Sequence, residues 1–214
     1  MMLRPPPFEH AAPARPKRAV FLDKDGTLVE DVPYNVDPAK LRLTPHAAAG
    51  LKLLQTHGYL LAVVTNQPGL ALGHFDRAAL ARLQAALTRM LADEGVTLHG
   101  FHACPHAAPA DPKRPACLCR KPAPGLLRQG AQAHRVDLAR SWMVGDILHD
   151  VEAGRRAGCR TILLDVGHET EWQLSPLREP HHRCRDLLEA AETILRHDAL
   201  SPIEPRPDAA VQPA

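Results

Sequence analysis

The chain has 214 residues, 45% of them hydrophobic and 23% charged, with a formal net charge of +2; that is enough for one α/β domain with a full core and short for two. So neutral a balance, with only two Trp, two Tyr and four Phe, argues against a zinc-dependent nucleic-acid-binding module, which needs a basic surface and stacking rings, but it leaves room for a small polyanion. The apolar run Leu60 to Val64 is far too short to cross a bilayer.

The chain opens on a Pro-rich segment, residues 1–17, with Pro5, Pro6, Pro7, Pro13 and Pro16. It carries Arg4, Arg15, Lys17 and Arg18 without an apolar stretch between them, unlike a secretory leader, so a cytoplasmic protein is expected. Ala19 to Leu22 reads as a short buried strand ending at Asp23. Ala47 to His57 reads as a helix stopped by Gly58. Tyr59 to Val64 is a second buried strand, ending at Thr65. From Asp76 to Ala92, Leu80, Leu83, Leu87 and Leu91 recur at helical spacing. Leu98 to Ala103 is a further strand, followed by a Pro- and Cys-rich loop over 104–121. Gly125 to Arg135 is helical, Ser141 to Val144 a strand, Val151 to Ala157 a helix closed by Gly158, and Thr161 to Leu164 a strand. Asp186 to Arg196 is a closing amphipathic helix. A second Pro-rich tail is expected over 199–214, leaving a domain at 18–198. Alternating strands and helices imply a parallel sheet covered on both faces. In such sheets the ligand site lies beyond the carboxyl ends of the strands, where Asp23, Thr65 and Asp146 all fall.

Asp23-Lys24-Asp25-Gly26-Thr27 places two carboxylates two residues apart after a buried strand. One can attack phosphorus while the other gives a proton to the leaving oxygen and later takes one from water. Alone, the segment is also an ordinary polar turn. Thr65-Asn66 offers a hydroxyl and an amide to a phosphoryl oxygen, although Thr65 by itself reads better as a helix cap. Lys121 can neutralise charge on the transferring group and Arg120 can grip a phosphate or hydroxyls. Gly145-Asp146, with Asp150 four residues on, adds carboxylates at another strand end. Magnesium takes oxygen ligands, and Asp23, Asp146 and the backbone carbonyl of Asp25 suit it; Asp150 fits behind them or in the first turn of the next helix.

Of the five cysteines, Cys104, Cys117 and Cys119 cluster while Cys159 and Cys184 are scattered. Cys104-Pro105-His106 and Cys117-Leu118-Cys119 together supply three thiolates and an imidazole, the donor set of a closed tetrahedral zinc site. His102 is a substitute ligand with less well matched spacing. A site with four protein ligands is structural, and here it would orient Arg120-Lys121, which follow it directly.

The ordered segments Asp23-Lys24-Asp25-Gly26-Thr27, Thr65, Lys121 and Gly145-Asp146 through Asp150 resemble the haloacid dehalogenase superfamily of phosphohydrolases. The resemblance implies a Rossmann-like α/β fold, here with no large cap domain. It implies Asp23 as nucleophile, Asp25 as acid/base, Thr65 and Lys121 as phosphoryl stabilisers and Asp146 as a magnesium ligand. The cysteine loop narrows this to the branch that holds heptose bisphosphate and histidinol-phosphate phosphatases. In the heptose enzymes, the stretches that correspond to Asp31-Val32-Pro33-Tyr34, to Thr65-Asn66-Gln67-Pro68 and to Arg120-Lys121 contact substrate. A small phosphorylated metabolite, a sugar bisphosphate above all, is therefore the expected partner, with no nucleic acid and no membrane. The lack of a cap is consistent with a monomer. The chain departs from the pattern at Pro68, in place of a serine, at Leu72, in place of an arginine, and at Ile147, where some members have a lysine.

Overall fold

The apolar run after Arg18 forms β1 (Ala19–Leu22), buried along its whole length. Side chains alternate along a strand, so Val20 and Leu22 enter one hydrophobic layer while Ala19 and Phe21 enter the other. A strand buried on both faces must be central, and β1 lies between β2 (Leu60–Asn66) and β4 (Trp142–Gly145), parallel to both. With β3 (Gly100–Cys104), β5 (Arg160–Leu164) and β6 (His182–Cys184) they form a six-stranded parallel sheet in the order β3-β2-β1-β4-β5-β6. This is a computed structural model, which describes residues 16–109 and 117–200. Residues 1–15 and 201–214, which fall in the tails expected over 1–17 and 199–214, and residues 110–116 of the cysteine loop lie outside the described residues.

Helices cover both faces, as the alternating pattern predicts. On one side α1 (Ala47–Thr56), α2 (Arg77–Asp93) and α5 (Leu187–Leu200) pack on the layer of Val20, Leu22, Leu61, Val63 and Val144. The α2 stripe Leu83, Leu87 and Leu91 is fully buried, each side chain stabilising the fold by about 1.5–3 kcal/mol relative to exposure. Asp76 caps that helix, accepting from the Ala79 amide at 2.7 Å. On the other side α3 (Gly125–His134) and α4 (Leu148–Ala157) cover Phe21, Val64 and Met143 through Leu126, Leu127 and Ala153. No further domain stands over the sheet among the described residues, and none of their helices is long and apolar enough to cross a membrane.

Three differences from the sequence reading matter. The strand β6 has only three residues, one of them exposed, and so leaves no periodic signal. The helix α4 starts at Leu148, three residues before the apolar pattern begins, which puts Asp150 in its first turn, where a carboxylate is favoured by the helix dipole. The ordered chain also reaches slightly past 18–198: the Lys17 amide bonds to the Arg135 carbonyl at 3.1 Å, and α5 continues to Leu200.

The strand order reverses between β1 and β4. The connections leaving these two strands run to opposite sides and open a crevice at their carboxyl ends.

Candidate active site

Asp23 follows the last residue of β1 and is pinned to β4, its amide donating to the Val144 carbonyl at 3.0 Å. Asp146 follows β4. The crevice is therefore flanked by two carboxylates that the sequence separates by more than a hundred residues. The turn between Asp23 and Asp25 depends on Gly26, at φ +78°. A Cβ there would lie 2.2 Å from Asp146 Oδ2 and 2.5 Å from His168 Nδ1, so any side chain at 26 would displace both groups. Thr27 closes the turn, donating from its hydroxyl to Asp146 Oδ1 at 3.0 Å.

Lys121 enters from the segment after the cysteine loop. Its ammonium lies 2.5 Å from Asp23 Oδ1, 2.6 Å from Asp150 Oδ1 and 2.9 Å from the Val64 carbonyl at the end of β2. Its burial alone would favour the neutral amine, but the charges of Asp150 and Asp23 outweigh that and hold it above the ordinary lysine range. Asp150 is fully buried behind Lys121, with the Ile147 amide donating to its other oxygen at 3.4 Å. Gly145 makes this possible: a Cβ at 145 would fall 2.2 Å from Asp150 Oδ2.

Asp25 is turned differently. Its carboxylate pairs with the buried ammonium of Lys24 and accepts from Gln67 Nε2 at 3.0 Å, while the same Gln67 nitrogen lies 3.1 Å from Thr65 Oγ1. Its side chain keeps 26% exposure, enough to face a substrate. Burial raises its pKa above the ordinary carboxyl value; Lys24 pulls it down and the charge of Asp23 pushes it up.

Asn66, expected at the substrate, directs its amide to Lys121. Its Nδ2 donates to the Lys121 carbonyl at 3.1 Å and its Oδ1 accepts from the Lys121 amide at 3.0 Å. Both polar groups of the side chain thereby hold the backbone of Lys121. Arg120 is likewise engaged with the cysteine loop: its guanidinium donates to the His106 carbonyl at 3.1 Å and its amide to Cys117 Sγ at 3.2 Å. The segment of Asp31, Val32, Pro33 and Tyr34 lies on the rim, with Tyr34 in the left-handed region at φ 54°. The ring of Tyr34 packs on His74 from the loop after β2, centroid to centroid 4.4 Å.

Two groups of side chains fit metal ions. The ligand atoms of Asp23, Asp146 and Asp150 lie within 4.8 Å of one another; opposite oxygens across a magnesium ion at 2.0–2.1 Å are about 4.2 Å apart. Burial and the charge of Asp23 push Asp146 up to about 6, partly offset by hydrogen bonds from His168 and Thr27. Asp23, Asp146 and Asp150 are buried close together while the Lys121 ammonium pairs with Asp23 and Asp150, a concentration of negative charge that a divalent cation would relieve. Asp150 is fully buried, whereas Asp23 and Asp146 keep slight exposure, 8% and 5%.

In the second group, Cys104, His106, Cys117 and Cys119 converge at the end of β3. The sulfurs are 3.2–3.6 Å apart and His106 Nδ1 lies 3.4–3.5 Å from Cys119 and Cys104. That is too long for a disulfide at about 2.05 Å and close to the edge of a tetrahedron with Zn–S of 2.3 Å, about 3.7 Å. Burial pushes the Cys104 thiol up to about 12, so the cluster ionises fully only with a cation among its sulfurs. The alternative ligand His102 stands apart, its ring facing His134 at 6.2 Å.

Sequence reasoning missed His168. It lies in the irregular segment after β5, and its Nδ1 sits 2.7 Å from Asp146 Oδ2. No periodicity or spacing marks it. Lys24, flanked by two aspartates, did carry a signal: a cation between two carboxylates is positioned to pair with one.

A HAD-hydrolase-like family profile matches residues 118–190. The chain is 38% identical over 153 residues to the D-glycero-beta-D-manno-heptose-1,7-bisphosphate 7-phosphatase of Pasteurella multocida, covering 71% of this chain and 83% of that one. It is 37% identical over 183 residues to the enzyme of the same name from Mesorhizobium japonicum, covering 83% and 84%. Among solved structures, the D,D-heptose 1,7-bisphosphate phosphatase from B. bronchiseptica, complexed with magnesium and phosphate, matches with a TM-score of 0.69 at 32% identity, over 84% of this chain and 99% of that one.

Proposed function

The chain belongs to the D-glycero-beta-D-manno-heptose-1,7-bisphosphate 7-phosphatase family of HAD-like hydrolases, and on that premise we propose that it removes the 7-phosphate of this sugar bisphosphate by way of a phosphorylated Asp23. The observation that carries the proposal is the Lys121 ammonium bridging Asp23 and Asp150 at the switch point of the sheet. A nucleophile and the cation that neutralises the transferring group are thereby held in one place.

In the first half-reaction an oxygen of Asp23 attacks phosphorus, the bond from phosphorus to the sugar oxygen breaks, and Asp25 gives its proton to that oxygen. In the second, water attacks phosphorus, Asp25 takes its proton, and the bond to Asp23 breaks to release inorganic phosphate. The raised pKa of Asp25 favours the protonated form that the first step needs, while Lys24 and Gln67 hold the ionised form for the second. Thr65 and Lys121 bind the phosphoryl oxygens, and Lys121 gains most as charge shifts onto them. Asp23, Asp146 and the backbone carbonyl of Asp25 would hold magnesium, which would supply further positive charge to the transferring group. Asp31, Val32, Pro33, Tyr34, Gln67 and Arg120 border the sugar and its far phosphate. Cys104, His106, Cys117 and Cys119 would hold zinc as a structural ion, since four protein ligands leave no position for water. Pro68 offers only its carbonyl, so recognition beside it loses a hydroxyl and an amide donor.

The test is phosphate release from heptose 1,7-bisphosphate, histidinol phosphate and a panel of sugar phosphates, with and without magnesium. The heptose bisphosphate should give the highest kcat/KM and leave the 1-phosphate on the sugar, and Asp23→Asn should abolish turnover without unfolding the protein. A higher kcat/KM on histidinol phosphate would overturn the substrate, and near-wild-type turnover by Asp23→Asn would overturn the mechanism.

A further inference from the structure

The orientation of Asp146 within the acidic cluster depends on two neighbours. Thr27 takes one oxygen. The other meets His168 Nδ1 at 2.7 Å. An ionised carboxylate only accepts, so Nδ1 carries the proton in that contact. The ring fits because Gly26 leaves the space: a Cβ on Gly26 would come within 2.5 Å of the same nitrogen. The residue after His168 fixes the strap from the other side. Glu169 Oε2 accepts from the Leu148 amide at 2.7 Å, and Glu169 Oε1 accepts from the Glu171 amide at 2.8 Å. Leu148 is the first residue of α4, so the strap is tied to the helix turn that carries Asp150. Consecutive residues of one irregular loop are thus anchored on both sides of the acidic cluster.

We propose that His168 is a positioning residue of the magnesium site: it holds the Asp146 carboxylate in the orientation that receives the ion, on a strap that Glu169 moors to α4. This rests on the reading of Asp23 and Asp146 as magnesium ligands. An imidazole N–H donor suits the task. It fixes the carboxylate through one directed bond, and side chains that support a metal ligand in this way typically set metal affinity by 10–100-fold.

The experiment measures magnesium binding to the full-length protein by titration calorimetry in the absence of substrate, for wild type, His168→Ala and His168→Asn. The asparagine amide nitrogen can reach the place of Nδ1, so this variant keeps a donor to Asp146. His168→Ala should weaken magnesium binding by about 10–100-fold, and His168→Asn should recover most of that loss. The concentration of magnesium that gives half-maximal activity should rise in parallel for His168→Ala, with KM for the substrate at saturating magnesium unchanged. Unaltered magnesium affinity in His168→Ala would overturn the proposal. Tighter binding would overturn it too, since the ring would then be competing with the ion for Asp146. A wild-type protein that binds no magnesium would overturn the metal reading beneath it, which separates the two failures.

Discussion

Replacing Asn66 by alanine tests whether Lys121 is placed by its backbone. The substitution deletes two hydrogen bonds, one to the Lys121 amide and one to its carbonyl. A neutral bond of this kind contributes about 0.5–1.5 kcal/mol net, so the pair contributes about 2 kcal/mol to holding residue 121 in place. If that energy is lost where Lys121 meets the transferring phosphoryl group, kcat falls roughly thirtyfold, at 1.36 kcal/mol for each tenfold. This is an upper figure, because the ammonium keeps its contacts with Asp23, Asp150 and the Val64 carbonyl. Steady-state kinetics on heptose bisphosphate and on a simple aryl phosphate should show the same fall in kcat on both, with KM nearly unchanged. A manyfold rise in KM on the heptose substrate at unaltered kcat would refute the reasoning and return Asn66 to the sugar.

Metal analysis of the purified protein should find close to one zinc per chain, and stripping it should lower both Tm and kcat because Arg120 and Lys121 follow Cys119 directly; a zinc-free protein with wild-type Tm and activity would exclude a structural ion. Glu152 accepts from Arg156 at 2.8 Å and from Arg178 at 2.6 Å; burial opposes its ionisation, but these partners win and hold its carboxyl below the ordinary glutamate value. A lowered folded-state pKa stabilises the protein above the unfolded value and loses that contribution as pH falls through the folded one. Glu152→Gln should therefore cost about 1–3 kcal/mol at neutral pH and little below the carboxylate range, read by denaturant unfolding at both; an equal loss at both pH values would show that the charge is not what stabilises.

Much of this architecture was legible in the chain because it is locally encoded. The strands β1, β2 and β4 are short apolar runs that end at polar residues, and a parallel sheet buries such runs on both faces. The placement of Asp23, Thr65 and Asp146 at strand ends needed only that rule and the binding rule for open sheets. The donor set of Cys104, His106, Cys117 and Cys119 was visible as two closely spaced pairs, since ligands one residue apart can close on a single ion. What the chain could not display are contacts between segments that meet only once the sheet has formed. Asn66 and Lys121 are 55 residues apart, and nothing near either residue shows that the amide will grip a backbone rather than a substrate. His168 lies in an irregular segment where no periodicity reports burial, and it reaches Asp146 only because Gly26 clears the way and Glu169 ties the loop to α4. Residue type and spacing thus determined which chemistry the protein carries. The order of strands about β1 decided which side chains would hold that chemistry in place, because pairing across a sheet is a property of the folded chain and not of any one segment of it.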